Sequence, residues 1–569
     1  MRPSATADAA GAKTLAVYSD RTAAQAPSAP KESAPAPGAA APLRTAAQPE
    51  TKDAAPPASR PAPRALAKNP APLAGFVDPL TKSGERVPIT LDACIRRTLA
   101  NNLGVQIARY GPPIARTSVR ETEAIFDPTW FLNNALGRIK EEAGSFLAGA
   151  ANTLVARQRQ FSTGVQSLLP TGGTWQLSQD WTWLRTNSLF FTPNPQYDSN
   201  LTLSVQQSLL RGAGVEVTRS PIVLARLDYD ISAADFKARL MDIVLEVEQA
   251  YWDLVVAQTQ VQSVTEALQA AQENLRIARR RFEEGADKRV VVSLAEAAAT
   301  SRQADLVSAR LQLVQTSDRL KRLINDPELP LTDPAVLAAQ ELPAAEPAPV
   351  LLPMLHQSMA AAMQNRPEIR QAEDRVAQAG VNERVARNQK LPQLDLGASF
   401  NLNGLSYDLD RSLDKEFQTR WYDWSVRVDF SVPIGNRARR AAHERSKLLE
   451  HQSTRSREDV RQQVLLDVSD AVRNLAAAEE SVRARRAARL AAEQVVRDEQ
   501  AFVSAGAALL KDLLDAQRDL AAAKVSEMQA MTAYMVGLAA LERAKGTLLD
   551  FNDIRLVDEP SGPQAVMGR

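Results

Sequence analysis

The chain has 569 residues, and its 68 Lys and Arg are balanced by 67 Asp and Glu, so no basic excess points to nucleic acid as a partner. Charged residues make up 24% of the chain and interrupt every apolar run before it reaches the ~18 residues that a membrane-spanning helix needs. Any membrane span must therefore be built from strands. Cys94 is the only cysteine and there are 3 histidines, which argues against a disulfide, a metal cluster or a Cys/His dyad. No cofactor is expected.

The chain begins with a segment that is poor in core-forming residues. Residues 1–75 are rich in Ala and Pro and hold almost no aromatic or β-branched side chains, so we expect a disordered leader. The first residues also lack the basic and apolar regions of a secretory signal. That absence, taken alone, argues against export.

From Val87 onward the sequence runs through one plan twice, which predicts an internal duplication. The first repeat covers 76–325 and the second 354–549; each has an opening helix (90–126 and about 352–388), then strands, then a helical hairpin. A Pro-rich linker or equatorial region, 326–353, joins them, and 550–569 form a tail. Each hairpin is predicted to turn at a glycine, Gly285 in the first repeat and Gly506 in the second.

The first long helix, expected over about 225–284, carries an apolar heptad pattern. Two series spaced by seven form the a and d positions of a coiled coil: Leu240, Val247, Leu254, Val261, Leu268, Leu275 and Phe282, and Ile243, Ala250, Ala257, Val264, Ala271 and Ala278. Such a repeat predicts a left-handed supercoil. The second long helix repeats the pattern less regularly, because Arg489 interrupts it. Heptads alone would favour a coiled-coil scaffold.

Alternating strands argue against a simple scaffold. Residues 424–432 and 394–402 alternate apolar and polar side chains, as do residues 201–206. Trp175, Leu177, Trp181 and Trp183 alternate with Gln176, Ser178, Asp180 and Thr182, so each segment has one apolar and one polar face. This pattern fits a transmembrane barrel, and it also fits a soluble antiparallel sheet. Six of the seven tryptophans fall in or beside these segments and a further strand-like run from Thr129, which favours the barrel because aromatic belts flank membrane-spanning bands.

The order of several motifs resembles the TolC-like outer-membrane efflux proteins. They include TLDACIRRTLANN, SVQQSLLRGAG, AYWDLVVAQ, KLPQLDL, VDFSVPIGN and AGAALLKDLLDAQRDL, and the resemblance covers about 87–550. It implies a mainly α-helical chain with membrane β-structure. In that family a homotrimer forms a 12-strand barrel in outer-membrane lipid, continued by a coiled-coil helical barrel in the periplasm. The periplasmic adaptor and the inner-membrane pump are the implied partners.

The first repeat departs from this family plan. It has extra strand-like sequence between Pro128 and Leu201, which raises the number of strand candidates per subunit from four to six. The sequence leaves open whether all of them enter the barrel.

The resemblance also implies a pore aperture at the hairpin turns, and it assigns this role to Asp512 and Asp515. Their spacing of three places both carboxylates on one helical face, where six acids would meet in a trimer and attract cations. The alternative is a solvated face on which Asp515 pairs with Arg518. The family's basic and acidic partners near the turns would fall at Ala508 and Val291, which cannot pair, so Lys511 or Arg289 would have to substitute.

These observations predict an outer-membrane channel subunit that conducts substrates from a periplasmic pump and adaptor to the exterior, in efflux or type I secretion. We expect it to be a passive conduit and not an enzyme, since no nucleophile, acid pair or phosphate loop recurs at a useful spacing. A periplasmic coiled-coil adaptor or scaffold is the alternative, but it leaves the repeated strands unexplained. The sequence does not identify the cargo.

Overall fold

The computed structural model describes residues 86–142, 153–188, 191–286, 288–343, 352–505 and 507–555. The predicted leader, most of the tail and Gly506 lie outside these ranges.

The first repeat opens with short elements. They are β1 (Arg86–Ile89), α1 (Leu91–Asn101), α2 (Leu103–Arg109), α3 (Gly111–Glu123) and a 3₁₀ turn (Ala124–Phe126). Four strands follow: β2 (Thr129–Glu142), β3 (Thr153–Leu168), β4 (Thr174–Thr186) and β5 (Gln196–Ser208). The repeat ends with α4 (Val215–Thr218), the long α5 (Ser220–Glu283) and α6 (Arg289–Ile324).

The linker region contains β6 (Val336–Ala339), which pairs in parallel with β1. The remaining elements are α7 (Leu352–Asn365), α8 (Pro367–Gln389), β7 (Gln393–Ser406), α9 (Leu409–Phe417), β8 (Tyr422–Ser431), α10 (Arg437–Ser504), α11 (Leu510–Lys545) and α12 (Leu548–Phe551). Both halves therefore run through helices, strands and a long helical hairpin in the same order.

The prediction of one continuous opening helix in each repeat is wrong. In the first repeat the Asn102 side chain accepts a hydrogen bond from the Val105 amide at 3.1 Å and donates one to the Leu323 carbonyl at 2.7 Å. It thereby caps α2 and ends α1. In the second repeat the break falls at Arg366, because Pro367 disfavours a helical conformation in the residue before it.

The six long strands form one antiparallel sheet in the order β2-β3-β4-β5-β7-β8. The register aligns the apolar positions of neighbouring strands on one face: Leu177 pairs with Leu203, and Phe400 with both Leu203 and Trp424. The polar positions share the other face, where Ser399 and Ser425 are hydrogen-bonded at 2.9 Å. The predicted alternation of faces is thus present in all of the strands that the sequence singled out.

Helix α9 covers one end of the apolar face. The hydroxyl of Ser412 donates to the Gly404 carbonyl at 2.8 Å and lies 2.9 Å from the Ser199 hydroxyl. A Cβ at Gly404 would stand 1.9 Å from the Ser412 carbonyl oxygen, so only glycine fits there. Because α9 connects β7 to β8, it marks the end of the sheet farthest from the long helices.

The long helices form two hairpins, α5 with α6 and α10 with α11. The 64 residues of α5 span about 96 Å at ~1.5 Å per residue. Its predicted heptad seam is fully buried at Val247, Ala250 and Leu254. Towards the turn the seam is less buried: Leu268 and Leu275 are half-buried, and Phe282 is 44% exposed. In α10 the interrupting Arg489 lies 2.5 Å from Glu493 and also pairs with Glu527 of α11.

The principal core lies where α5 meets α1, α6 and β6. It is built from fully buried large side chains, including Met241, Tyr251 and Leu254, together with Cys94. Burial raises the pKa of the Cys94 thiol to about 12, so this cysteine is an inert packing residue. Across the described ranges, no helix combines the length and apolarity needed to cross a membrane.

Candidate functional site

The candidate site lies at the two hairpin turns. The first turn follows α5, where Gly285 adopts a φ of +75°. Its amide donates to the Phe282 carbonyl at 3.0 Å, and the Ala286 amide donates to the Arg281 carbonyl at 2.8 Å. A β-branched side chain at Gly285 would strain this left-handed conformation.

The second turn repeats one of these hydrogen bonds. The Ala507 amide donates to the Phe502 carbonyl at 2.9 Å, five residues back, as Ala286 does at the first turn. Gly506, the predicted turn residue, lies outside the described ranges. Helix α11 then begins at Leu510, so Asp512 falls in its first turn, where a carboxylate is favoured by the helix dipole.

The two candidate aperture acids have different surroundings. Asp512 is exposed, and its carboxylate forms no ion pair within the described ranges. Asp515 is half-buried and lies 3.3 Å from Arg518, so the pair expected under the solvated-face alternative is present. Asp515 also lines a cleft of about 190 Å³ between the two hairpins, together with Lys511 and Arg302. One carboxylate is therefore free and the other is partly neutralised within a single subunit.

Lys511 and Arg289 are the two candidates to replace the family's basic partner. In the part of the chain that the structure describes, neither forms an ion pair between the two hairpins. Lys511 lines the cleft beside Asp515 without forming a salt bridge, and Arg289 is the exposed first residue of α6. Also within that part, no group of three or more His, Cys, Asp or Glu side chains is placed to hold a metal ion.

Two other contacts connect the hairpins closer to their middle. Lys524 of α11 donates to Glu266 of α5 at 2.8 Å, and Asn274 of α5 donates to Gln517 of α11 at 3.0 Å. Asn274 is 9% exposed, so this hydrogen bond satisfies an amide that the packing of the hairpins has removed from water.

The hydrogen bond from Lys524 holds the pKa of Glu266 below its ordinary value, against the opposing effect of partial burial. Sequence reasoning missed both inter-hairpin contacts. Their partners are 258 and 243 residues apart, and no periodicity relates them.

Comparisons with known proteins identify the family to which this chain belongs. The profile of the family described as "Outer membrane efflux protein" matches 174–326 and 359–547, together more than half of the chain. The chain is 26% identical over 366 residues to the outer membrane efflux protein BepC of Brucella suis biovar 1, covering 63% of this chain and 74% of that protein.

Solved structures have the same fold. The structure of CusC matches with a TM-score of 0.60 at 19% identity, covering 80% of this chain and 92% of CusC. The outer membrane channel CmeC of Campylobacter jejuni matches with a TM-score of 0.59 at 16% identity, covering 80% of this chain and 86% of CmeC.

The fold and the paired hairpins thus define an outer-membrane channel of the TolC-like class. The chain belongs to the outer membrane efflux protein family, and its location is the outer membrane. The family match begins at 174, the first residue of β4, so the β2–β3 hairpin lies outside the matched ranges.

Proposed function

We propose that this protein is the outer-membrane subunit of a tripartite efflux or type I secretion system. Three copies form a closed barrel in the membrane and a helical tunnel in the periplasm. Substrates pass from a periplasmic adaptor and an inner-membrane pump to the exterior. The subunit is a passive conduit without enzymatic activity, and its gate lies at the hairpin turns near Asp512 and Asp515.

One observation carries the proposal: among the residues that the structure describes, nothing packs against most of the apolar face of the sheet. Trp424, Val426, Val428 and Phe430 are 60–68% exposed, whereas the helices bury their own seams. An exposed apolar face of this extent is typical of a membrane contact. The same strands lead directly into the two long hairpins, so one subunit supplies wall to both a barrel and a tunnel.

Barrel closure requires other copies of the chain. The sheet ends at β2 and β8, and the edge of an open sheet leaves backbone groups unpaired, which the hydrocarbon interior does not tolerate. Pairing β2 of one subunit with β8 of the next removes every edge. With six strands per subunit, three copies give 18 strands in place of the 12 implied by the family resemblance. Because barrel diameter grows roughly linearly with strand number, the lumen is about 1.5-fold wider.

The first experiment determines the oligomeric state and the conductance. The full chain is purified from membranes in detergent. Native mass spectrometry then measures the mass of the oligomer, and planar bilayers measure its conductance. A trimer with ion conductance is the expected result. A stable monomer without conductance would exclude the conduit.

The adaptor or scaffold alternative predicts a protein that is soluble without detergent. Family membership and the exposed apolar sheet face do not favour it. Heat-modifiable migration on gels, together with recovery in the membrane fraction, would support the channel.

A further inference from the structure

At the end of the sheet away from the long helices, the apolar face carries a row of arginines. The strand register places Arg138 of β2 opposite Arg157 of β3, and Arg157 opposite Arg185 of β4. Residues in one cross-strand row point to the same face, with neighbouring Cβ atoms ~4.5–5.5 Å apart. The three guanidinium groups therefore lie side by side on one surface, and all three residues are exposed.

This row lies on the face that carries the apolar band. Arg157 shares its face with Phe161, which stacks on Trp181 at 4.9 Å between ring centroids. Arg159, two residues along from Arg157, lies 5.6 Å from the centre of the Trp183 ring. An aromatic group thus borders the arginine row on its apolar side, as in the girdle where a barrel wall meets the headgroups.

The row lies at the end of the sheet away from the helices. The β3–β4 turn is at the helix end, because the Gly214 amide beside α4 donates to the Thr171 carbonyl at 3.0 Å. Arg185 is at the opposite end of β4. Between the β3–β4 turn and Arg185, the nine residues 175–183 rise ~22 Å across the membrane, at ~3.3 Å per residue and a tilt of ~40°. The arginines therefore reach the outer headgroup layer, just beyond a hydrocarbon band of ~25 Å.

Within the described ranges, none of the three arginines forms an ion pair. Glu142 lies on the same face four residues beyond Arg138, and no salt bridge connects it to them. The segments 143–152 and 189–190, which complete the adjoining connections, contain no Asp or Glu. Like charges directly opposite one another destabilise a sheet, so an anion bound from outside the chain would stabilise this row.

We propose that Arg138, Arg157 and Arg185 bind the phosphate groups of anionic lipid in the outer leaflet. A guanidinium offers paired N–H donors that match phosphate oxygens, and the neighbouring apolar band receives the acyl chains. Two of the three arginines belong to the β2–β3 hairpin, which lies outside the family-matched ranges. The site is therefore a feature that this hairpin adds to the wall. The inference rests on the proposed function, since it requires the apolar face to contact lipid.

The test uses native mass spectrometry of the detergent-solubilised full chain titrated with diphosphorylated lipid A. The test variant is Arg138→Gln, Arg157→Gln and Arg185→Gln combined. A matched control removes three exposed cations of α10, Arg445→Gln, Lys447→Gln and Arg455→Gln, and so changes the net charge equally. A triple Arg→Lys variant at the row keeps the charge.

We expect the triple Gln variant to lose at least tenfold in affinity for lipid A. The α10 control should bind like the parent protein, and the Lys variant should lie between the two. Phosphatidylcholine, which has no net charge, should bind all four proteins equally. Equal lipid A affinity in the parent and the triple Gln variant would overturn the inference. Loss of lipid A binding to the parent in millimolar inorganic phosphate at constant ionic strength would also overturn it, by identifying a site for free anions.

Bilayer conductance of the same proteins separates the two proposals. If the triple Gln variant and the parent conduct alike and bind lipid A alike, the arginine site is wrong and the conduit stands. If the parent forms no membrane-embedded oligomer, both fall.

Discussion

At the scale of single residues, the gate assignment depends on Asp512 and Asp515. In the proposed trimer, replacing both by Asn removes six negative charges from the proposed aperture, so we expect cation selectivity in planar bilayers to fall at least about twofold. The double variant Asp470→Asn and Asp498→Asn removes the same charge from the side of α10 and should leave selectivity unchanged. If the two double variants have the same ion selectivity, the gate assignment is wrong. Asp515 is then a surface residue whose role is its 3.3 Å ion pair with Arg518.

The contact between Glu266 and Lys524 predicts a pH effect. Because the folded-state pKa of Glu266 is lowered, the contact stabilises the protein above the ordinary pKa of 4.5, and this stabilisation is lost as pH falls through the lower folded-state value. Both side chains are substantially exposed, so Glu266→Gln should cost less than ~1 kcal/mol at pH 7. Thermal unfolding of this variant should converge with the parent in strong acid.

A matched control for this prediction is Glu273→Gln. Glu273 pairs with Arg276 of its own helix at 2.6 Å, and among the described residues it forms no ion pair with another element. If the contact between hairpins restricts opening, Glu266→Gln should raise the conductance at pH 7 and Glu273→Gln should not. A higher conductance in both variants would attribute the effect to net charge.

At the scale of elements, β8 tests the assignment of the sheet faces. Val428 and Phe430 lie on the apolar face, and Ser425 and Ser431 on the polar face. Arginine at the midplane of a lipid-facing strand costs ~2–4 kcal/mol, so Val428→Arg and Phe430→Arg should reduce the yield of assembled protein in membranes. Ser425→Arg and Ser431→Arg should assemble normally. Equal yields from both pairs would contradict the assignment of the apolar face to lipid.

At the scale of the whole molecule, cross-linking distinguishes 18 strands from 12. In a Cys94→Ala background, Leu132→Cys on β2 is combined with Val426→Cys on β8. Within one subunit these strands are five spacings apart, ~24 Å, so a short bismaleimide reaches only between subunits. We expect covalent oligomers on denaturing gels.

The comparison pair for this experiment is Leu177→Cys on β4 with Val426→Cys. These strands are three spacings apart both within a subunit and across the proposed junction, so this pair should not react. If instead β4 is the subunit edge, as four strands per subunit require, only the Leu177 pair will cross-link.

The elements with local patterns could be predicted from the amino-acid sequence. Alternation fixed the strand faces, because successive strand side chains point to opposite sides. The heptads fixed the seam of α5, because a seven-residue repeat keeps one stripe of a helix against its neighbour. The extra strand pair of the first repeat was also visible, since its alternation does not depend on what it contacts.

Features that depend on strand register and on contacts between distant segments became visible only in the folded chain. The opening helices are interrupted at Asn102, whose side chain caps the next helix, and at Arg366, which precedes Pro367. The folded chain joins Glu266 to Lys524 across 258 residues, and it aligns Arg138, Arg157 and Arg185 in one row. A shift of one residue in either pairing would send an arginine to the opposite face. Their cluster therefore exists only once the strands have paired.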